Sequence, residues 1–236
     1  MKAFILILLV SYSFYSCISH ARKQESIPAV PAGYVDPSTL IHEGQALLKE
    51  GDLVVRLNQD PASQFIKNFN RQDKKYSHAG IVLFENGYPF IYHIVNGEEN
   101  PDEKLRKDSL SWFCNPRKNL AYGIYRYELG KGEIKRLKAL IHKWHAKGVQ
   151  FDHGFDLKTD DKMYCSEMVR KALETVTDKR ISIETTDLSI TEAGVFSAYM
   201  HLPLTYTSKL KIVSIDNLYK TMSCKLIKEY NYKIQR

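Results

Sequence analysis

The sequence lacks the features that would place it in most specialised classes. Among its 236 residues are only four cysteines, Cys17, Cys114, Cys165 and Cys224. None stands in a C-x-x-C pair, so neither a structural zinc site nor a dithiol motif is expected, and no metal or cofactor is implied. There is no repeat with a period of about 20 to 50 residues and no low-complexity tract. The apolar run Ala3 to Val10 is too short to span a bilayer comfortably. Basic residues exceed acidic ones, 34 against 27, for a formal charge of +7, but Lys67, Arg71, Lys74, Lys75, Arg117, Lys118 and Lys131 to Lys138 are scattered. Without a concentrated basic face, no nucleic-acid partner is expected; weak attraction to anionic envelope polymers or lipid headgroups is the more natural consequence.

What is present is an ordinary globular composition, 44% hydrophobic and 26% charged, in a chain long enough for one domain with a substantial core. Lys2 followed by the apolar run and then Ser11, Ser13 and Ser16 has the order of an export signal, so residues 1–20 read as a secretory signal. The end of that segment, Phe14-Tyr15-Ser16-Cys17, also resembles a lipoprotein cleavage site in which Cys17 becomes the lipidated first residue. Either outcome places the protein in the periplasm or cell envelope, in the second case attached to the membrane through Cys17. Residues 21–35, with Pro28, Pro31 and Gly33, read as a linker, and residues 36–236 as the folded domain. With Cys17 in the signal segment, three cysteines remain and cannot all pair. Cys114 and Cys224 are left either as a disulfide or as two buried thiols.

Within the domain, Asp36-Pro37 and Asp60-Pro61 start two helices, and Gly51-Asp52-Leu53-Val54-Val55 begins a strand. Tyr76 to Phe84 and Pro89 to Val95 are β-rich runs joined through Asn86-Gly87, a strong hairpin signal. Asn96 to Ser109 reads as loop, Leu120 to Leu129 as strand, and Glu133 to Lys147 as a helix ended by Gly148. Beyond residue 180 short strands are expected around Phe196 to Tyr199 and Lys211 to Val213, with a last turn near Leu218. The sum is α+β, helices packed on an antiparallel sheet.

Chemistry concentrates in Tyr164-Cys165-Ser166-Glu167-Met168-Val169-Arg170. Cys165, Met168, Val169, Ala172 and Leu173 share one helical stripe, and Asp160 and Asp161 are candidate caps. Cys165 then falls in the first turn, where unpaired backbone N–H groups and the helix dipole favour thiolate. The alternative is a buried cysteine acting as a small hydrophobe. If Asn86 and Gly87 are the central pair of a two-residue turn, Gly80 faces His93, and His78 and His93 become diagonal neighbours on one sheet face. Gly80 leaves room for their rings to meet. A register change of one residue would separate them. Cys165, His78 and His93 supply a thiol, a base and an orienting partner; the Cys165 backbone N–H, with Tyr164 or Ser166, supplies oxyanion donors.

Glu50-Gly51-Asp52-Leu53-Val54, Tyr76-Ser77-His78-Ala79-Gly80-Ile81 and Tyr164-Cys165-Ser166-Glu167-Met168-Val169 together resemble the permuted branch of the NlpC-type papain-like superfamily, the YiiX/YaeF-like amidases, over roughly residues 38 to 215. Histidine precedes cysteine here, the reverse of the ordinary order. The resemblance implies a circularly permuted papain-like fold with Cys165 as nucleophile, His78 as base, His93 at the third polar position and Tyr164 lining the pocket. It implies an exported thiol hydrolase cleaving an amide in a peptide or cell-wall fragment. Three alternatives stand beside it: a lipid acyltransferase or thioesterase like the lecithin retinol acyltransferase group, a non-catalytic envelope binding protein, and a metal site made from His78, His93 and Cys165.

Overall fold

A computed structural model describes residues 36–98 and 100–232. The signal and linker expected over residues 1–35, Cys17 included, lie outside the described residues. In chain order the helices are α1 (Pro37–Leu47), α2 (Pro61–Ile66), α3 (Leu110–Phe113), α4 (Lys131–Lys147), α5 (Cys165–Val176), α6 (Ile190–Met200), α7 (Leu204–Thr207) and α8 (Ile215–Tyr219). The strands are β1 (Leu53–Asn58), β2 (His78–Glu85), β3 (Tyr88–His93), β4 (Arg106–Asp108), β5 (Asn119–Tyr127), β6 (Gln150–Phe151), β7 (Lys162–Met163), β8 (Thr186–Asp187), β9 (Lys211–Ile212) and β10 (Cys224–Asn231).

Six strands form one antiparallel sheet in the order β10-β5-β1-β2-β3-β4. Alternation along the strands gives it two faces, and each is covered. Val55, Ala79, Ile81, Tyr92 and Tyr125 pack with Leu137 and Ile141 of α4 and Met168, Val169, Ala172 and Leu173 of α5. Val54, Val82, Ile91 and Ile124 pack with Ile41 of α1, Leu110 and Phe113 of α3, and Tyr230. Burying each large aliphatic side chain in these layers stabilises the fold by about 1.5–3 kcal/mol.

The helix starts follow the expected chemistry in part. The Asp36 and Asp60 carboxylates accept the N–H of Ser38 and Ser63 at 3.0 and 2.9 Å, and Gly148 ends α4 at φ 68°. The cap of α5 is Tyr164 and not Asp160 or Asp161, with Glu167 accepting the Tyr164 N–H at 3.2 Å. Asp52 sits fully buried at the start of β1 and braces it: its carboxylate takes the Lys49 N–H and two bonds from Arg126, all at 2.7 Å.

Two further expectations require correction. The segment around Phe196 to Tyr199 is helix α6, not strand; Ser189 and Glu192 form a capping box ahead of it, and Ala193 and Phe196 turn into the core. The stretch Asn96 to Ser109 is not all loop, because Arg106–Asp108 adds an edge strand to β3. Its charged triplet is typical of a protected edge and carries no apolar alternation. Of the two possibilities open for Cys114 and Cys224, the structure has unpaired thiols: like Cys165 they are free, one buried against the α1–α3 layer and the other packed on the opposite layer.

The hairpin register is as expected, with Glu85 opposite Tyr88 and Ile81 opposite Tyr92. At Gly80 an added Cβ would lie 2.4 Å from Ile91 Cγ2, 2.9 Å from the Tyr92 carbonyl and 3.2 Å from His93 Cβ. Gly80→Ala is therefore expected to lower unfolding free energy by about 1–3 kcal/mol, measured by urea denaturation. An unchanged midpoint would contradict this close approach.

Candidate active site

The nucleophile candidate and its base arrive from opposite sides of β2. Cys165 opens α5 and is buried in the helical layer, its sulfur receiving the backbone N–H groups of Ala79 and Ser166. Ala79 follows His78, so the His78 side chain leaves β2 toward the other layer. There it pairs in register with Arg56 and stands beside the Phe113 ring at 5.5 Å. Both Cys165 and His78 line one cavity of about 520 Å³.

His78 Nε2 lies 2.9 Å from His93 Nδ1, the contact that the hairpin register and the space at Gly80 allow. His93 Nε2 lies 2.8 Å from Asp108 Oδ2, and Asp108 Oδ1 accepts Arg106 Nη2 at 2.6 Å. The row His78–His93–Asp108–Arg106 thus runs across β2, β3 and β4. His93 and Asp108 are buried, 2% and 8% exposed. Phe113 closes over both imidazoles, 4.8 Å from His93, and the Arg56 guanidinium lies over the Phe113 ring at 4.7 Å while donating to the Phe113 carbonyl at 2.8 Å. Asp108 was not found in the sequence. The only signal for it is its even spacing from Arg106 in a stretch that reads as loop.

Tyr164 and Ser166, the suggested oxyanion donors, both engage Val213. The Tyr164 hydroxyl accepts the Val213 N–H at 2.8 Å, and Ser166 Oγ donates to the Val213 carbonyl at 2.6 Å. These side chains hold the Val213 wall of the cavity, and the Ser166 proton is committed there. The backbone N–H groups at the start of α5 remain as donors. Asp152, Asp156 and His153 stand in the preceding loop. Asp152 turns it by accepting the Gly154 N–H at 2.8 Å, whereas His153 borders the cavity and meets Glu103 at 2.6 Å. One cavity wall is apolar, with Ile66, Phe69, Phe155, Phe196, Tyr199 and Met200. Nearer His78 the lining includes Arg56, Asn58, Asn70 and Ser77.

Electrostatics reverse one expectation. Burial pushes the Cys165 thiol up to about 11, outweighing the lowering by the Ala79 and Ser166 N–H groups and by Arg56. Burial, then Arg56, then His93 hold His78 well below the usual imidazole range. Burial also lowers His93 to about 4 despite the opposing bond to Asp108. The low thiol pKa expected of a helix start is not met, because the sulfur is enclosed and no cationic imidazole stands beside it.

The chain matches the family of permuted papain-like amidase enzymes, YaeF/YiiX, C92 family, over residues 47–229, and it belongs to that family. Among curated relatives, the uncharacterized protein YiiX of Escherichia coli strain K12 is 24% identical over 131 residues, 56% of this chain and 60% of that protein. The match therefore spans less than two thirds of that relative. The crystal structure of metalloprotein yiiX from Escherichia coli O157:H7 superposes with a TM-score of 0.60 at 18% identity, covering 77% of this chain and 97% of that one. This is a likeness of fold, and it agrees with the permuted α+β architecture.

The buried imidazoles make stability depend on pH. His93 falls from an ordinary 6.5 to about 4 on folding, so an unfolded chain takes up a proton that the folded one refuses. Its contribution is complete above about pH 6.5 and is lost as pH falls toward about 4, at up to about 1.4 kcal/mol per pH unit for one such group. Urea unfolding across this window is expected to show the decline, with a shallower slope in His93→Gln. Equal slopes would contradict a buried neutral His93.

Proposed function

We propose that this protein is an exported thiol hydrolase that cleaves an amide bond, in a peptide or a cell-wall-derived fragment, through an acyl-enzyme on Cys165 with His78 as base. The observation that carries the reading is the shared cavity, lined both by a thiol at a helix start and by an imidazole already bonded to a second one. Family membership supports amide chemistry. Export and a periplasmic or envelope location, with or without a lipid on Cys17, belong to the same proposal.

The high thiol and low imidazole pKa values favour a neutral resting pair over a thiolate–imidazolium pair. The Sγ proton then moves to His78 Nδ1, the ring nitrogen left by the bond to His93, as sulfur attacks the carbonyl carbon. The C=O π pair moves to oxygen, facing backbone N–H groups at the start of α5. Collapse breaks the C–N bond, and the leaving amine takes the proton from His78. Water then gives a proton to His78 and attacks the thioester, releasing acid and restoring the thiol.

The apolar wall of Ile66, Phe69, Phe155, Phe196, Tyr199 and Met200 favours a second reading, in which the acyl group is a lipid chain and the reaction is acyl transfer or thioester hydrolysis. A metal at this site fits the residues poorly. The relative from Escherichia coli O157:H7 is described as a metalloprotein. Here, however, both His93 nitrogens are engaged by His78 and Asp108, leaving Cys165 and one nitrogen of His78. Among the described residues no group of three or more His, Cys, Asp or Glu is placed to hold a metal ion.

Mass spectrometry of the intact protein after exposure to short peptides, cell-wall stem peptides and acyl lipids is expected to show an acyl adduct on Cys165 with one of these classes. Cys165→Ala should abolish the adduct, and His78→Gln should slow turnover by about 10²–10⁴-fold. Turnover that survives Cys165→Ala would sink the hydrolase reading. A ligand held unchanged by that variant would identify a binding protein.

A further inference from the structure

We propose that Asp108 is a positioning residue that acts through His93 to set the tautomer of His78, which makes the site a four-member row of thiol, two imidazoles and a carboxylate. The proposal rests on the assignment of His78 as base. It extends that assignment to a strand that reads as loop in the sequence and to a carboxylate two hydrogen bonds from the base.

The argument is one of donors and acceptors. Each neutral imidazole carries one N–H and one bare nitrogen. Asp108 is ionised: the bonds from His93 and Arg106 hold its carboxyl below the usual range against the effect of burial. An ionised carboxylate only accepts, so His93 Nε2, 2.8 Å away, must carry the hydrogen. His93 Nδ1 is then bare and only accepts, so His78 Nε2, 2.9 Å from it, must carry the hydrogen of that second bond. His78 Nδ1 is left bare and able to take a proton from Cys165. The polarity of the whole row is dictated from its far end. Inverting it at Asp108 would place a hydrogen on His78 Nδ1 and remove the base without touching the cavity.

The surroundings make this control necessary. Arg56, in register with His78, and the His93 imidazole are the charged or titratable groups facing the base from β1 and β3; Cys165 of α5 lines the same cavity and Arg106 stands behind Asp108 from β4. Phe113 covers both imidazoles. Water therefore has little access with which to exchange one tautomer for the other, and Asp108 is the acceptor that breaks the degeneracy.

The full chain labelled with ¹⁵N-histidine gives a direct test by long-range ¹H–¹⁵N correlation at neutral pH. In the unmodified protein both His78 and His93 are expected as Nε2–H tautomers. In Asp108→Asn, where the amide can donate to His93 Nε2, both are expected to change to Nδ1–H. Acylation of Cys165 by p-nitrophenyl acetate should fall by about 10²–10⁴-fold, with part of the rate recovered in Asp108→Glu. A His93 Nδ1–H tautomer in the unmodified protein would overturn the proposal even if no variant folds. So would a folded Asp108→Asn with both tautomers and the acylation rate unchanged. If the tautomers switch as expected but Cys165 is acylated by no donor, the positioning role stands and the hydrolase reading fails.

Discussion

Asn86 and Gly87, both at positive φ (51° and 84°), form the two-residue turn that sets β3 against β2. Everything at the candidate site depends on that register. It puts Gly80 beside His93 and so lets two imidazoles meet at 2.9 Å in a space that a single methyl group would fill. A slip of one residue would send His93 into the layer beneath α4 and α5, where a polar ring would lose its partners, and would turn the apolar side chains of each layer into the other, whose packing does not fit them. The cost of those two outcomes is what makes the register unambiguous. The geometry of the hydrogen-bonded row is thus a by-product of burying the sheet on both sides.

The second dependence is the placement of α5. Its apolar stripe, Met168, Val169, Ala172 and Leu173, fixes the helix on the sheet, and its first residue lands against the backbone of β2 next to His78. Burial that anchors the helix also encloses the thiol, which is why the sulfur is held neutral despite the helix start. Anchoring and reactivity pull in opposite directions here. At the opposite end of β1, Asp52 and Arg126 hold the strand that carries Arg56. The Gly51-Asp52-Leu53 signature is accordingly a brace for the sheet and lies apart from the cavity.

Much of this was legible in the sequence because it is encoded locally. The Asn-Gly turn, the spacing of His78 and His93 around it, and the apolar stripe beginning at Cys165 each reveal themselves within about fifteen residues, and they sufficed for the hairpin, the helix and the meeting of His78 with His93. Asp108 was not legible, because an edge strand of Arg-Lys-Asp has no hydrophobic period and owes its conformation to pairing with β3. Helix α6 misled for the opposite reason. Val195, Phe196 and Tyr199 favour strands, and only the Ser189–Glu192 capping box argued for a helix. The engagement of Tyr164 and Ser166 with Val213, nearly fifty residues away, is a purely tertiary fact.

Charge placement bears on how such a site would work. Arg56 is buried next to the base, an arrangement that opposes an imidazolium and favours a thiolate. Asp108, on the other side of His93, does the reverse for positive charge on the imidazoles. A proton leaving Cys165 would therefore create an anion on the Arg56 side and a cation on the Asp108 side, each with a counter-charge already in place. Before that transfer the two fixed charges act on neutral partners, and burial prevails. Such a site keeps its thiol protonated until a carbonyl is positioned to receive the sulfur, which favours proton transfer during attack over a standing thiolate. Substrate entry that excludes remaining water would strengthen both counter-charges at the moment of reaction. On this account selectivity depends on what fills the apolar wall of the cavity, because only a well-seated acyl group brings its carbonyl within reach of a thiol that is otherwise inert.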